Sequence, residues 1–354
     1  MSAPAELERR RLPEPPTVRV GRWRVLASAR GAVVTTALLA GAIVVVLATL
    51  GSGPLPVSPA EVVDTILRRT DEFDFVVLDI GLPRACVALL VGAGLGVAGS
   101  LLQALTRNPL GSPDVIGFTT GSASGALIAI IVIGAGPAET AAGALLAGGV
   151  TAAVVYLLAW RRGLTGGRLV LVGIGIAAVL QGLNSLLLVR ASLTSAQTAA
   201  QWLAGSFNAT GWPRVLLLGA ALVVLLPAAA LLARPLGAMV LGDDLAAALG
   251  VRVERSRTLL VVVGVALVAV ATATAGPIGF IALAAPQIAR RLTRSSAVGF
   301  GSAAVVGAGL VLASDLVAQR LFAPTQLAVG VVTGVLGGGY LIWLLGSQWR
   351  KGAR

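Results

Sequence analysis

The side chains that most often carry enzyme chemistry are scarce in this sequence of 354 residues. It has no histidine, one cysteine (Cys86) and one lysine (Lys351). The sequence therefore excludes an imidazole base, a Cys or His zinc site and a CxxC redox pair. A Walker A loop needs a lysine beside its phosphate-binding glycines, and Lys351 lies in the C-terminal tail. We expect no catalytic residue, metal ligand or directly bound cofactor, and a separate chain must bind any ATP that drives this protein.

Polar side chains recur at helical spacing within two apolar segments. Gln181, Asn184 and Ser185 share one helix face, and Thr333 follows Gln326 in a segment near the C-terminus. In hydrocarbon a polar face needs either hydrogen bonds to a partner helix or a water-filled route. The spacing leaves both interpretations open.

Asp315 lies deep within another apolar segment, five residues before Arg320. A carboxylate inside a membrane is a functional candidate, and the alternative is that it pairs locally near the outer surface. A proton-coupled transporter usually has several such groups. The near absence of buried ionisable side chains therefore disfavours secondary transport.

The longest charged internal loop, residues 234–257, contains a short predicted helix. Asp243 and Asp244 would lie in its first turn and Gly250 at its end, in agreement with the helix dipole and with C-cap preferences. A short helix that projects from a membrane domain could bind a cytoplasmic partner, or could be a solvated connector.

The elements that position these residues are membrane helices. Hydrophobic residues make up 56% of the chain and charged residues 12%, and the mean hydropathy is +0.92. A span needs about 20 apolar residues. Apolar runs of that kind predict an all-α polytopic fold with ten transmembrane helices, at residues 31–50, 83–105, 115–135, 137–160, 168–190, 212–233, 255–275, 277–293, 297–321 and 326–346.

The net charge of +12 has two possible meanings, nucleic-acid binding or cytoplasmic loops rich in arginine. With both termini inside, 21 of the 27 Lys and Arg residues are cytoplasmic. This asymmetry favours a multi-pass protein of the cytoplasmic membrane. We predict a disordered basic arm over residues 1–30, one transmembrane domain over 31–346, an external short helix at 196–207, and a cytoplasmic tail over 347–354.

Five ordered blocks of sequence resemble the permease subunits of bacterial iron-siderophore and vitamin B12 ABC importers, the FecCD family. They are Leu82-Pro83-Arg84, Gln103 to Gly117, Leu241 to Gly250, Ala275 to Arg290, and Val329 to Thr333 with the glycine-rich run that follows. The family's ten helices and cytoplasmic termini agree with the span and charge pattern.

The resemblance implies a permease dimer, homomeric or heteromeric, with the translocation route between its subunits. Two cytoplasmic ATPase subunits, which use ATP and Mg²⁺, would dock beneath it, and an external siderophore-binding protein would dock outside. The expected cargo is a ferric siderophore. Vitamin B12 or haem is an alternative cargo, and an ATPase-independent secondary transporter is the competing class.

The resemblance also assigns roles to residues. Its ATPase-coupling region corresponds here to Leu241, Gly242, Asp243, Asp244, Leu245, Ala247, Leu249 and Gly250. Its translocation route and cytoplasmic gate correspond to Asn108, Leu110, Gly166, Gly167, Gln181, Asn184, Ser185 and Thr333. Gly166 and Gly167 depart from the vitamin B12 type, which has hydroxyl residues there. Its outer arginines, which pair with carboxylates of the binding protein, correspond to Arg84 and to Arg320, next to the matched position Gln319.

Overall fold

The fold is almost entirely helical. The computed structural model describes residues 17–20, 23–26, 29–51, 57–113, 117–160, 166–208, 210–294, 299–323 and 325–352. The helices are α1 (Ala29–Leu50), α2 (Pro59–Ile66), α3 (Leu82–Thr106), α4 (Phe118–Leu127), α5 (Pro137–Ala159), α6 (Gly166–Arg190), α7 (Leu193–Leu203), α8 (Trp212–Val240), α9 (Asp243–Ala248), α10 (Val253–Ala275), α11 (Ile281–Thr293), α12 (Phe300–Arg320) and α13 (Val329–Gly352). A π-helical segment, Phe75–Gly81, leads into α3, and another, Ile128–Ile133, extends α4.

The N-terminal region differs in part from the predicted disordered arm. Strands β1 (Thr17–Val20) and β2 (Trp23–Leu26) pair antiparallel, with Thr17 opposite Leu26. Strand β1 contains a threonine and two valines, and β2 contains a tryptophan and a valine. These β-branched and aromatic residues favour extended backbone. These two strands lie within the predicted disordered arm, and residues 1–16, 21–22 and 27–28 of that arm lie outside the described part of the chain.

Each of the ten predicted spans contains a helix. Among the described residues, seven helices are long and apolar enough to cross a membrane, and Phe118–Ile133 and Val329–Leu344 are shorter apolar helices. The remaining predicted span, 277–293, contains helix α11, which has 13 residues. At a rise of 1.5 Å per residue it extends about 20 Å, which is less than the roughly 30 Å of a hydrocarbon core. Helix α7, which corresponds to the predicted external helix, begins at Leu193, earlier than predicted, because the Ser192 side chain accepts a hydrogen bond from the Ser195 backbone and caps it.

Helix α3 is the centre of the bundle. In the continuous helix Phe75–Thr106, which contains α3, 78% of the 18-residue apolar stretch is buried inside the chain, whereas the corresponding fraction in α6 is 11%. Small residues on α3 permit this, because a Cβ atom on Gly92 or Gly99 would overlap the backbone of α12 or α11. The small residues of α3 therefore serve close helix packing. Positions far apart in the sequence can therefore meet at both ends of α3.

Candidate functional site

The predicted coupling helix α9 is fixed at its N-terminal end by ionic contacts. Asp243 Oδ1 accepts from Arg107 Nη2 at 2.9 Å, and Asp243 Oδ2 accepts from Arg257 Nη2 at 2.8 Å. Arg107 follows the last residue of α3, and Arg257 lies in the first turns of α10. Arg257 also donates to Glu254 Oε1, at 2.8 Å. The single carboxylate of Asp243 therefore joins α9 to two helices of the bundle.

The backbone at the start of α9 requires glycine. Gly242 has a φ of 129°, and Arg107 donates a further hydrogen bond to the carbonyl oxygen of Met239, at 2.7 Å, just before the turn. An L side chain at this φ would be strained. The turn and the ion pairs together set the direction in which α9 leaves α8.

Three exposed leucines lie on α9 or directly beside it. Leu241, Leu245 and Leu249 are 67%, 58% and 69% exposed, and they are spaced four residues apart, whereas Ala246 is buried against the bundle. Leu245 lies within α9, Leu249 is its C-cap residue, and Leu241 precedes the turn at Gly242. Asp244, Ala247 and Gly250 are exposed as well. We call the three leucines the apolar ridge of α9, and no described part of the chain covers their side chains.

The predicted gate residues lie near this same end of the bundle. Gly166, at the start of α6, packs on Thr106, and both line a cavity of about 200 Å³ together with Arg107, Asp243 and Arg257. A Cβ on Gly166 would lie 2.8 Å from the Cα of Thr106, so a larger residue would displace α3 from α6. Gly167 has open space around it.

Asn108 and Leu110 form a tight turn after α3. The Asn108 side chain accepts a hydrogen bond from the Leu110 backbone at 2.9 Å, and the Leu110 side chain is exposed. Gln287 of α11 donates to the Pro109 carbonyl oxygen at 2.7 Å and holds the turn against the bundle. Sequence reasoning missed this contact because Gln287 and Pro109 are 178 positions apart.

The polar face predicted on α6 lies partly on the outer surface of the chain. Gln181 and Ser185 are exposed, and the Ser185 hydroxyl donates to the Gln181 carbonyl oxygen at 3.0 Å. The buried Oδ1 of Asn184 has no hydrogen-bond partner among the described residues. Thr333 is enclosed within the chain and donates to the Gly330 carbonyl oxygen at 3.1 Å. These polar groups are therefore not brought together with Thr333.

Arg84 lies in a buried ion pair and does not project from the surface. Its Nε and Nη2 donate to the two carboxylate oxygens of Asp315, both at 2.9 Å. The Arg84 side chain is 11% exposed and that of Asp315 is 0% exposed. Asp315 also accepts from Gln319 at 2.8 Å. Asp315 is therefore paired, but with a residue 231 positions away and on another helix. In this conformation Asp315 engages Arg84, and the docking role of Arg84 stays a prediction.

The remaining hydrogen bonds of Arg84 reach two other elements. Its Nη1 donates to Asn208, between α7 and α8, at 3.1 Å and to Gln326, before α13, at 3.0 Å. Arg320, the other predicted docking residue, is exposed at the end of α12. Sequence reasoning missed the Arg84 cluster because the partners of Arg84 lie 124 to 242 positions away from it. The only indication in the sequence was that the partners of Arg84 carry amide or carboxylate groups, which accept hydrogen bonds from a guanidinium.

The fold, with its apolar helices and buried polar clusters, defines a multi-pass membrane protein. The FecCD transport family model matches residues 38–347. The chain is 47% identical over 324 residues, covering 91% of this chain and 98% of the relative, to the ferric enterobactin transport system permease protein FepG of Escherichia coli (strain K12). It is 33% identical, covering 87% of this chain and 93% of the relative, to the vitamin B12 import system permease protein BtuC of Salmonella arizonae.

A solved structure has the same fold. It is described as an inward-facing conformation of a transporter assigned to the metal-chelate ABC type, with a TM-score of 0.77, 27% identity, and coverage of 89% of this chain and 99% of the solved chain. The chain belongs to the FecCD transport family and is a multi-pass protein of the cytoplasmic membrane.

Proposed function

We propose that this chain is the non-catalytic permease subunit of an ATP-driven importer that carries a ferric siderophore across the cytoplasmic membrane. The observation that carries this proposal is α9, a short helix with an uncovered apolar ridge and an ionic attachment to α3 and α10. Apolar side chains that are exposed to water are unfavourable, and an exposed apolar patch marks a surface to which a partner binds. The relatives with iron-chelate names support the cargo class, and vitamin B12 or haem remains the alternative cargo.

The proposed arrangement has ten spans with both termini cytoplasmic. A second permease subunit, identical or related, would pack beside this chain, and Gln181, Asn184 and Ser185 on the exposed side of α6 would line the route between them. Two ATPase subunits, which use ATP and Mg²⁺, would bind the α9 ridge. An external binding protein would deliver the cargo, and Arg320 is available on the surface for that contact.

Transport in this proposal follows from differential binding. Each ligand, ATP on the ATPase or the loaded binding protein outside, must favour one conformation of the permease over the other. The Asp243 contacts would transmit motion of α9 directly to α3 and α10. The turn at Asn108 and Leu110, next to Gly166, would open and close the inner end of the route.

The test is uptake of radioactive iron chelate into vesicles that contain the complete transporter, with and without ATP. Joint replacement of Asp243, Asp244 and Leu245 by alanine should abolish ATP-dependent uptake while membrane insertion remains normal. Replacing Leu67, an exposed leucine at the end of α2, by alanine is the matched control and should leave uptake unchanged. Normal uptake in the triple variant would refute the coupling role, and uptake without any ATPase would favour a secondary transporter.

A further inference from the structure

A second, larger cavity lies at the opposite end of the bundle from α9. It has a volume of about 690 Å³, within the range of about 300 to 1,000 Å³ that is usual for small-molecule sites. It lies between the start of α5, helix α7, the first turn of α8 and the end of α10. The lining residues used below are Gln201, Trp202, Asn208, Arg214, Thr274 and Gln326.

The charge of this cavity is positive. Arg214 is the single charged side chain among the described lining residues, and it is half-buried in the first turn of α8. Its side chain makes no ion pair or hydrogen bond with any residue in the described ranges. A partly desolvated guanidinium without a counter-charge is unfavourable, and an anionic ligand would relieve that cost.

The Arg84 cluster gives the same wall two further hydrogen-bond donors. A guanidinium has no acceptor atom, so Asn208 and Gln326 must direct their amide oxygens towards Arg84. The amide nitrogen of each is left as a donor, and neither nitrogen has a partner among the described residues. Because Asp315 neutralises Arg84, this arrangement adds donors to the cavity without adding net charge.

We infer that this cavity is a binding site for an anionic, oxygen-rich ferric chelate. This inference rests on the proposed function and restricts the proposed ferric cargo to anionic chelates. Arg214 and the two amide nitrogens would bind negatively charged catecholate or carboxylate oxygens, and Trp202 would offer an aromatic surface to the ligand. A neutral chelate, such as a ferric complex of three hydroxamates, would gain little from Arg214.

The direct test is equilibrium binding to the purified full-length chain in lipid nanodiscs. The probes are the ferric complex of a tris-catecholate chelator, which is anionic, and that of a tris-hydroxamate chelator, which is neutral. Arg214→Gln should weaken binding of the anionic complex about ten-fold or more and leave the neutral complex within about two-fold, because a hydrogen bond to a charged group is lost. Arg214→Lys should retain part of the affinity. Arg190→Gln, which removes an exposed cation at the end of α6, is the control and should change neither affinity.

Three results would overturn the inference: no binding of the anionic complex to the wild-type chain, an unchanged affinity in Arg214→Gln, or an equal loss for both complexes. ATP-dependent uptake by the complete transporter is measured in parallel. Selective binding without uptake would leave the cavity assignment intact and count against the proposed function, whereas uptake of both chelates regardless of Arg214 would do the reverse.

Discussion

The Arg84–Asp315 pair should be among the most destabilising single contacts to break. Asp315 is fully buried, and both of its carboxylate oxygens accept from Arg84. Replacing only one partner leaves an unpaired buried charge, which costs about 3–5 kcal/mol. We therefore expect Arg84→Met and Asp315→Leu each to lower the free energy of unfolding by about that amount. The double replacement should cost much less than their sum, since apolar side chains of similar volume replace such a pair with little loss.

The assay uses the lone cysteine of the chain. Cys86 is half-buried in α3, two residues from Arg84, and would react with a fluorogenic thiol reagent when this region unfolds. Thermal unfolding of the chain in detergent, followed by this reaction, gives the stability of each variant in a double-mutant cycle. Asp64→Asn is the control, because Asp64 and Arg69 form an exposed pair that contributes only about 0–1 kcal/mol.

A cycle in which the two single effects simply add would refute the reasoning, because it would mean that Arg84 and Asp315 do not depend on each other. Losses below about 1 kcal/mol would place the pair in the class of exposed ion pairs. Either result would also weaken the argument that Arg84 orients Asn208 and Gln326. The prediction that Arg84 docks the binding protein is separate, and it requires that the pair opens when that protein binds.

Three further outcomes are expected. Gly99→Leu should prevent stable folding, because even its Cβ would overlap the backbone of α11, whereas Gly41→Leu should be tolerated because nothing lies within 4 Å of its Cβ position; yields of folded chain after detergent extraction compare the two. Asp243→Asn should lower ATP-dependent uptake several-fold without loss of expression, since Arg107 loses its ion pair and Arg257 keeps only Glu254, and unchanged uptake would contradict a coupling role for Asp243. Hydrogen bonds from the Ser58 hydroxyl and backbone lower the pKa of the exposed Glu61 carboxyl, so their stabilisation is present above the unfolded pKa and is lost as pH falls through the folded pKa. Ser58→Ala should raise that pKa towards its ordinary value in a carboxyl-carbon NMR titration, and an unshifted titration would contradict the capping interpretation.

Much of the fold could be predicted because the bilayer imposes a simple rule on sequence. Long apolar segments must become helices to satisfy their backbone hydrogen bonds. The predicted segments at 31–50 and 212–233 thus correspond to α1 and α8, with only the ends displaced. Prediction was weakest at α11, where the helix is short, and it did not anticipate the pairing of strands β1 and β2.

Helix α9, the predicted coupling helix, could be predicted from the sequence for a similar reason. Its acids, its glycines and its leucine spacing are local features, and the local helix α9 follows from them. The ion pair that joins α9 to the end of α3 could not be predicted, because Arg107 and Asp243 are 136 positions apart. Nothing in the sequence near Asp243 indicates which of many arginines would reach it.

The amino-acid sequence by itself determined that this chain is an apolar helical protein without histidine, because composition and hydrophobic runs can be read without knowing which segments meet. Only the tertiary structure decided which polar groups meet. It paired Arg84 with Asp315, placed Asn208 and Gln326 around that pair, and left Arg214 facing a cavity without a counter-charge. The physical reason is that a buried charge is stable only beside a partner, and the partner is set by which helices pack together. Helix packing depends on the whole chain and not on the local sequence.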